Sequence, residues 1–281
     1  MNVPRSVLVT GTGLIGTSVA LALRARGVAV QLFDTDPEAL RLARDRGAGE
    51  EWRPGEPVDL AVIAVPPHSV AEVLARLQAS RAARCYTDVA SVKVVPIREA
   101  RQLGCDLVSY VPGHPMAGRE TSGPLAAHAG LFSGRPWVLC PTGHASQEAL
   151  AMVRQMVSRC GGRLVELDAA VHDKAVALVS HAPHVVAAAM AAQLADSAET
   201  TLGLAGQGLR DMTRIAGGDP VLWADILAGN ASAVAETLDA VAHDLTVAAA
   251  SLRATGDRIT SLLERGAHGR SQIPPLLEQA S

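Results

Sequence analysis

Aromatic side chains are scarce: three tryptophans, two tyrosines and two phenylalanines in 281 residues. Without large rings to fill wide gaps, the core must be aliphatic, with small-residue helices packed close together. Cysteine is sparse too. Cys85, Cys105, Cys140 and Cys160 lie far apart and form no CxxC pair. That spacing argues against a zinc site and against a disulfide framework, and it suits a reducing cytoplasm. No metal site is expected. Charge of one sign is lacking as well: the formal net charge is -3, so there is no general basic field for nucleic acid or an acidic membrane surface. Met1 to Arg5 run straight into an apolar strand and do not read as a signal peptide. Residues 175–195 carry no Asp, Glu, Lys or Arg over 21 positions, long enough to cross a bilayer. However, Ser180, His181, Pro183, His184 and Gln193 interrupt the run, and no second span accompanies it. It reads as a buried helix of a soluble protein.

What is present begins with a phosphate-binding pattern. The apolar run Ser6–Thr10 stops at Gly11-Thr12-Gly13-Leu14-Ile15-Gly16. A helix is expected over 18–26, closed by Gly27, then a strand over 28–33 ending at Asp34. This is GxGxxG with a strand before it, a helix after it and an acid 18 residues past the last glycine. Gly11 permits the tight turn, Gly13 lets the backbone approach a pyrophosphate, and Gly16 lets helix and strand pack closely. The pyrophosphate sits on the helix N-terminus, where free N–H groups and the dipole favour anions. Asp34 is expected to accept hydrogen bonds from the adenosine ribose. Asp36 follows closely, so a 2′-phosphate would meet two carboxylates, and NAD is expected rather than NADP. Arg41 and Arg44 on the next helix are the counter-signal.

Residues 59–65 form a continuous apolar run, as expected for a parallel strand buried on both faces. Val65 and Pro66 end it near the nicotinamide half. The strand over 84–88 leads to Ser91 at its carboxyl end, where ligands bind in open α/β sheets. Further strands are expected over 107–111, 137–140 and 163–167, with a helix over 146–160. Strand signal ceases after Asp168. The reading is a Rossmann-type doubly wound sheet over 1–168 and an all-helical substrate and dimerisation domain over 169–281.

In that second half, 172–196 is helical, but Pro183 removes an N–H and clashes with the carbonyl of Val179, so a kink is expected near 180–183. A helix is expected over 197–207. Asp219-Pro220 opens another as N-cap and first helical residue. From Asn230 a long helix carries Val234, Leu238, Val241, Leu245, Ala248 and Leu252 at alternating steps of four and three. That seam fits a partner subunit, or equally the core of its own domain. Residues 266–281 read as a tail.

The stretch from Gly113 to Pro124 holds His114 in a loop rich in glycine and proline, at the end of the nucleotide domain. A neutral imidazole can take a proton near physiological pH; a loop histidine satisfied by a neighbour is the plain alternative. The combination Gly11–Gly16, Asp88–Lys93, Gly113–Pro124, Ser180–His184 and Asp211–Asp219 resembles the prephenate and arogenate dehydrogenases of tyrosine biosynthesis, over nearly the whole chain. HPMAG and DMTRIA are specific to that family; GxGxxG is not.

The resemblance implies oxidative decarboxylation of prephenate or arogenate, with hydride passing from ring C4 to NAD. It implies His114 as the base for the 4-hydroxyl and Ser91 as a hydrogen-bond partner of the same group. Arg214 is matched to a carboxylate-binding fork. Ser180, His181 and His184 are matched to the substrate's carboxylate end or the nicotinamide mouth, and Asp211 to a supporting role. Arg119 and Glu120 stand near the substrate side chain, and Trp223 either walls the site or packs in the core. Lys174 reads as a solvated charge. Alternatives are a 4-amino-4-deoxyprephenate dehydrogenase and a catalytically silent NAD-binding regulator. The expected partners are the small-molecule substrate and a second copy of the chain, with no nucleic acid and no membrane.

Overall fold

The computed structural model describes residues 3–118, 121, 123–254 and 259–274. Its first half follows from alternation of apolar strands with capped helices. The order is β1 (Ser6–Thr10), α1 (Leu14–Arg24), β2 (Ala29–Phe33), α2 (Pro37–Asp45), β3 (Glu50–Glu51) and β4 (Val58–Ile63). Then come α3 (Val70–Ala79), β5 (Ala83–Asp88), α4 (Val94–Gln102) and β6 (Tyr110–Val111). These strands form one parallel sheet in the order β3-β2-β1-β4-β5-β6. The sheet is buried on both faces because successive residues of a strand point to opposite sides. Val7 and Val9 enter the cluster with α1 and α5 (Gln147–Arg159). Leu8 enters the opposite cluster, built from Leu74 and Leu77 of α3 and Tyr110.

A second sheet departs from the expectation of one continuous doubly wound layer. β7 (Gly113–Pro115) pairs antiparallel with β8 (Pro136–Leu139), which pairs parallel with β9 (Arg163–Glu166). His114 therefore sits on a short strand opposite Val138, not in irregular loop as its composition implied. Glycine is required there for close approach: a Cβ on Gly113 would lie 2.9 Å from the Asp88 carbonyl oxygen. Arg119, Glu120 and Ser122 of the same stretch lie outside the described residues.

From Ala169 onward every regular element among the described residues is helical. α6 (Ala169–Val176) is capped by Asp168, whose side chain accepts from the Ala170 and Val171 N–H groups at 2.8 and 3.4 Å. It passes through a π turn, Ala177–His181, into α7 (Ala182–Ala192). The widened turn is the expected kink, since Pro183 offers no N–H to the preceding turn. The helix expected over 197–207 is broken: α8 (Glu199–Leu202) stops after one turn and α9 (Gln207–Thr213) restarts. α10 (Pro220–Gly229) opens as read, with Asp219 accepting from Val221 N at 2.9 Å. α11 (Ala231–Arg253) is the long helix, and α12 (Ile259–Ser271) takes in Gly266 to Ser271 of the residues read as tail.

Helix Ala169–Ala192 is long and apolar enough to cross a membrane by length and composition. Four polar residues on it, His172, Asp173, His181 and His184, are buried against neighbouring elements, whereas only 33% of its most apolar window is buried, less than the buried helix expected from the sequence.

Candidate active site

The glycine loop is shaped for a dinucleotide. Gly11 has φ +95°, and a Cβ there would lie 2.2 Å from the Ala64 carbonyl oxygen. A Cβ on Gly16 would lie 1.9 Å from the Gly11 carbonyl oxygen, whereas one on Gly13 would meet nothing within 4 Å. The space over Gly13 is thus open at the N-terminus of α1, which begins at Leu14 rather than at Ser18. Thr12 is fully buried; its N–H and its hydroxyl donate to one oxygen of Asp34 at 2.5 and 2.8 Å, and Asp36 N donates to the other at 2.9 Å. These bonds fix the acid at the end of β2 while leaving it acceptor sites for ribose hydroxyls. Beside it, Phe33, Asp34, Trp52, Val65, Val73 and Leu77 help line a cavity of about 250 Å³. Val65 therefore faces the adenosine end, and Pro66 stands exposed next to it. Arg41 is paired with Glu38 and Asp45, and Arg44 with Glu51. The two arginines that argued for a 2′-phosphate are thus engaged elsewhere. The glycine cradle, Asp34 and the apolar cavity fit NAD.

At the other end of the sheet, His114 is 8% exposed and its Nδ1 lies 2.8 Å from Nε2 of His172. His172 Nδ1 lies 2.7 Å from Oδ1 of Asp173. That carboxylate also accepts from the backbone N–H groups of Lys93 and Val94 at 2.8 and 2.9 Å, at the start of α4. A carboxylate holding three donors only accepts, so His172 carries its proton on Nδ1 and offers a lone pair at Nε2. His114 must then donate from Nδ1, which leaves its Nε2 as the basic nitrogen. Burial holds the His114 imidazole well below its usual pKa, helped by His172, Lys93 and His181 nearby. It is neutral at physiological pH.

Beneath this pair lies a fully buried ion pair, Lys93 with Asp88. Lys93 Nζ also donates to the Gly113 carbonyl at 2.5 Å, and the Tyr110 hydroxyl donates to Asp88 at 2.6 Å. The network pins the backbone of β7 immediately before His114. Ser91 lies half-buried between Asp88 and Lys93, on the turn that leads into α4.

The π turn supplies the remaining polar groups. Ser180 is half-buried and His181 and His184 are buried. Asn230, at the start of α11, donates from Nδ2 to the Asp173 carbonyl at 2.7 Å and contacts His181 Nδ1 at 3.2 Å. His181 thus accepts at Nδ1 and carries its proton on Nε2. Among the described residues, neither His181 Nε2 nor His184 Nδ1 has a hydrogen-bond partner. An unmet buried polar group costs about 1–3 kcal/mol, so these two atoms are open to a polar ligand. Burial lowers the pKa of both histidines, that of His181 to about 4. Trp223 stacks on His184 with centroids 3.6 Å apart and planes 13° apart, so it walls this cluster rather than filling the core. Gly218 makes room for the stack, since a Cβ there would lie 2.5 Å from Trp223 Nε1.

Arg214 follows α9, in a 3₁₀ turn packed on α7. Asp211 is exposed and accepts from Gln207 Nε2 at 2.7 Å, not from the histidine cluster. Lys174 is exposed, as read. Arg119 and Glu120 lie outside the described residues. Sequence reasoning missed His172, Asp173, Lys93 and Asn230 as site residues. Asp88 and Lys93 were visible as a motif without a role; the pair His172-Asp173 looked like a polar helix start.

A parallel dinucleotide-binding sheet facing a buried histidine and a set of helices with unmet polar atoms defines a nucleotide-dependent oxidoreductase. Residues 19–166 match the nucleotide-binding domain model of prephenate dehydrogenase, and residues 168–264 match its dimerization domain model. The chain belongs to the prephenate dehydrogenase family, whose members are NAD-dependent oxidoreductases. It is 42% identical over 281 residues to the probable prephenate dehydrogenase NovF of Streptomyces niveus, covering 96% of this chain and 78% of that one. The prephenate dehydrogenase of Aquifex aeolicus, solved with hydroxyphenyl propionate and NAD+, superposes with TM-score 0.85 at 27% identity, covering 96% of this chain and 98% of that one. Synechocystis arogenate dehydrogenase superposes with TM-score 0.76 at 28% identity, covering 95% and 99%. The dimerization-domain match supports a homodimer.

Proposed function

We propose that this protein oxidatively decarboxylates prephenate or arogenate with NAD, using His114 as the base. The observation that carries the reading is the buried, neutral His114, whose Nδ1 is committed to His172 so that Nε2 is left for the substrate. Gly11, Thr12, Gly13, Leu14, Ile15 and Gly16 with Asp34, Val65 and Pro66 would hold the cofactor. When bound, the nicotinamide supplies the acceptor for a hydride from ring C4.

The residues of this chain do the rest. As hydride leaves, C4 becomes carbonyl-like and its hydroxyl turns acidic, so a neutral imidazole held against it can take the proton. Ser91 hydrogen-bonds the same hydroxyl and orients it. The ring carboxylate leaves as carbon dioxide, and aromatisation makes the sequence strongly downhill. Arg214 presents a planar fork to a substrate carboxylate. Ser180, His181 and His184 receive the polar groups of the substrate through the two unmet ring nitrogens. Arg119 and Glu120 stand close to His114 in sequence and shape the side-chain end.

The division into a nucleotide domain over 1–168 and a helical domain over 169–281 belongs to this proposal, as does a dimer formed through α11. Leu245 and Leu252 of its apolar seam are 59% and 66% exposed, apolar side chains that a second subunit would cover. All four cysteines are free, in keeping with the cytoplasm. The test is NADH absorbance on mixing protein and NAD with prephenate and arogenate in parallel. Turnover of one ring fixes the substrate. NAD binding without turnover of either would remove the proposal in favour of an amino-deoxy ring or a silent regulator.

A further inference from the structure

The reaction above leaves a difficulty at His114. The imidazole that takes the proton is buried, and among the described residues no carboxylate touches it. An imidazolium left there would be a buried charge without a partner, which is costly. The compensating carboxylate, Asp173, touches the next ring instead.

We propose that His114, His172 and Asp173 form a proton relay in which the charge generated at His114 comes to rest on His172. The inference rests on the reading of His114 as base. The O–H bond of the substrate hydroxyl breaks and an N–H bond forms at His114 Nε2. The N–H bond at His114 Nδ1 breaks and one forms at His172 Nε2, 2.8 Å away. No electrons are exchanged along the relay, since hydride leaves C4 separately. His172 then carries protons on both nitrogens, its Nδ1 held at 2.7 Å by Asp173. When product leaves, the proton returns to His114 Nδ1, and Nε2 releases its own to water.

Three features favour this use of His172 over a purely structural one. Its tautomer is dictated, because Asp173 already accepts from Lys93 N and Val94 N. Its ring is completely buried, so the proton it receives cannot come from bulk water. Of the groups around the pair, Lys93, backed by Asp88 and Tyr110, opposes a charge on His114, and His181 from the π turn is neutral at physiological pH and offers no counter-charge. Burial holds His114 low, whereas the Asp173 carboxylate touches the ring one further on. His172 is therefore a positioning residue that acts through His114.

The test starts without substrate. Long-range ¹H–¹⁵N correlation spectra of the full chain read ring tautomers, with His114→Asn and His172→Gln giving the assignments. The relay requires the proton of each ring on Nδ1; a His114 ring protonated at Nε2 overturns it, whatever the substrate. The second arm is single-turnover NADH formation in mixtures of light and heavy water. Wild type should give a curved proton inventory, because two protons move together. His172→Gln keeps an acceptor for His114 but cannot take a proton. It should slow the step about 10- to 100-fold and straighten the inventory, with KM and NAD affinity within about twofold. A straight inventory in wild type, with His172→Gln as fast, overturns the relay. Failure of both rings to turn over would count against the proposed reaction instead, and the tautomers would still decide the ground state of the relay.

Discussion

Gly13 and Gly16 sit three residues apart, at the N-cap and in the first turn of α1, yet the structure gives their alanine variants opposite phenotypes. A Cβ on Gly13 meets nothing within 4 Å, and the backbone there has φ -68° and ψ -165°, open to any residue. Alanine restricts the unfolded chain, worth about 0.4–1 kcal/mol in favour of the fold. It is also a poorer N-cap than glycine by a few tenths of a kcal/mol or more. The two effects nearly cancel, so Tm should stay within about 2 °C. The methyl group, however, stands in the open space where the cofactor's pyrophosphate must reach the N–H groups of α1. Losing one hydrogen bond to a charged group costs about 1.5–3 kcal/mol, or about 10- to 150-fold in Kd for NAD. Gly16→Ala differs: its Cβ would lie 1.9 Å from the Gly11 carbonyl oxygen and 3.0 Å from Ala64 Cβ. Overpacking of this kind costs about 1–3 kcal/mol, or roughly 2–12 °C in Tm at this chain length, and it should weaken NAD as well. Calorimetric titration with NAD and thermal melts of the three proteins check both statements. NAD binding by Gly13→Ala at wild-type affinity would refute the placement of the cofactor. An unchanged Tm for Gly16→Ala would refute the close approach of helix and strand.

His114→Asn should keep NAD affinity and lose about 100-fold or more in kcat, because only proton removal is affected; stopped-flow absorbance reads both. Arg214→Gln should raise KM about tenfold or more with a smaller effect on kcat, and an unchanged KM would move the carboxylate fork elsewhere. Acid should destabilise the fold through the buried histidines. The unfolded chain protonates His181 near pH 6.5 while the folded one waits until about 4. The unfolded state thus binds more protons between those values, and stability present above pH 6.5 is lost as pH falls through that window. The loss is on the order of 3 kcal/mol for His181; urea midpoints from pH 7 to 4.5 measure it, and His181→Gln should flatten the profile. Leu245→Asp with Leu252→Asp should convert a dimer to monomer in light scattering, and a dimer surviving both would place the interface on another face.

Much of the nucleotide half was legible because its determinants are local. A strand, three glycines and an acid within 29 residues from Ser6 to Asp34 specify the turn, the anion site and the ribose contact together. Pro183 announced the π turn for the same reason, since a missing N–H acts on its own helix. Asp219-Pro220 opened its helix as read, because the Asp219 side chain caps an N–H of the first turn. Departures came where an element's neighbours decided its state. Gly113–Pro115 has the composition of a loop, and it is a strand because β8 lies alongside to pair with it. The helix expected over 197–207 has no such local determinant, and it stops at Leu202.

The site divides in the same way. His114, Ser91, the 180–184 cluster and Arg214 stood out by residue type and setting, and the resemblance to a known family gave them roles. His172, Asp173 and Lys93 did not, because burial changes what a residue means and burial is not written locally. Lys93 and Asp173 lie 80 positions apart, His114 and His172 58 apart. Only the packing of the first turn of α6 against the start of α4 turns a polar helix start into a hydrogen-bonded chain of rings. The sequence alone determined the cofactor loop and singled out His114 as the candidate base, because those depend on backbone geometry and side-chain chemistry within a few residues. The tertiary structure alone decided which nitrogen of that base is free and which ring stands ready for its charge. Those are set by distances between segments that only folding brings together.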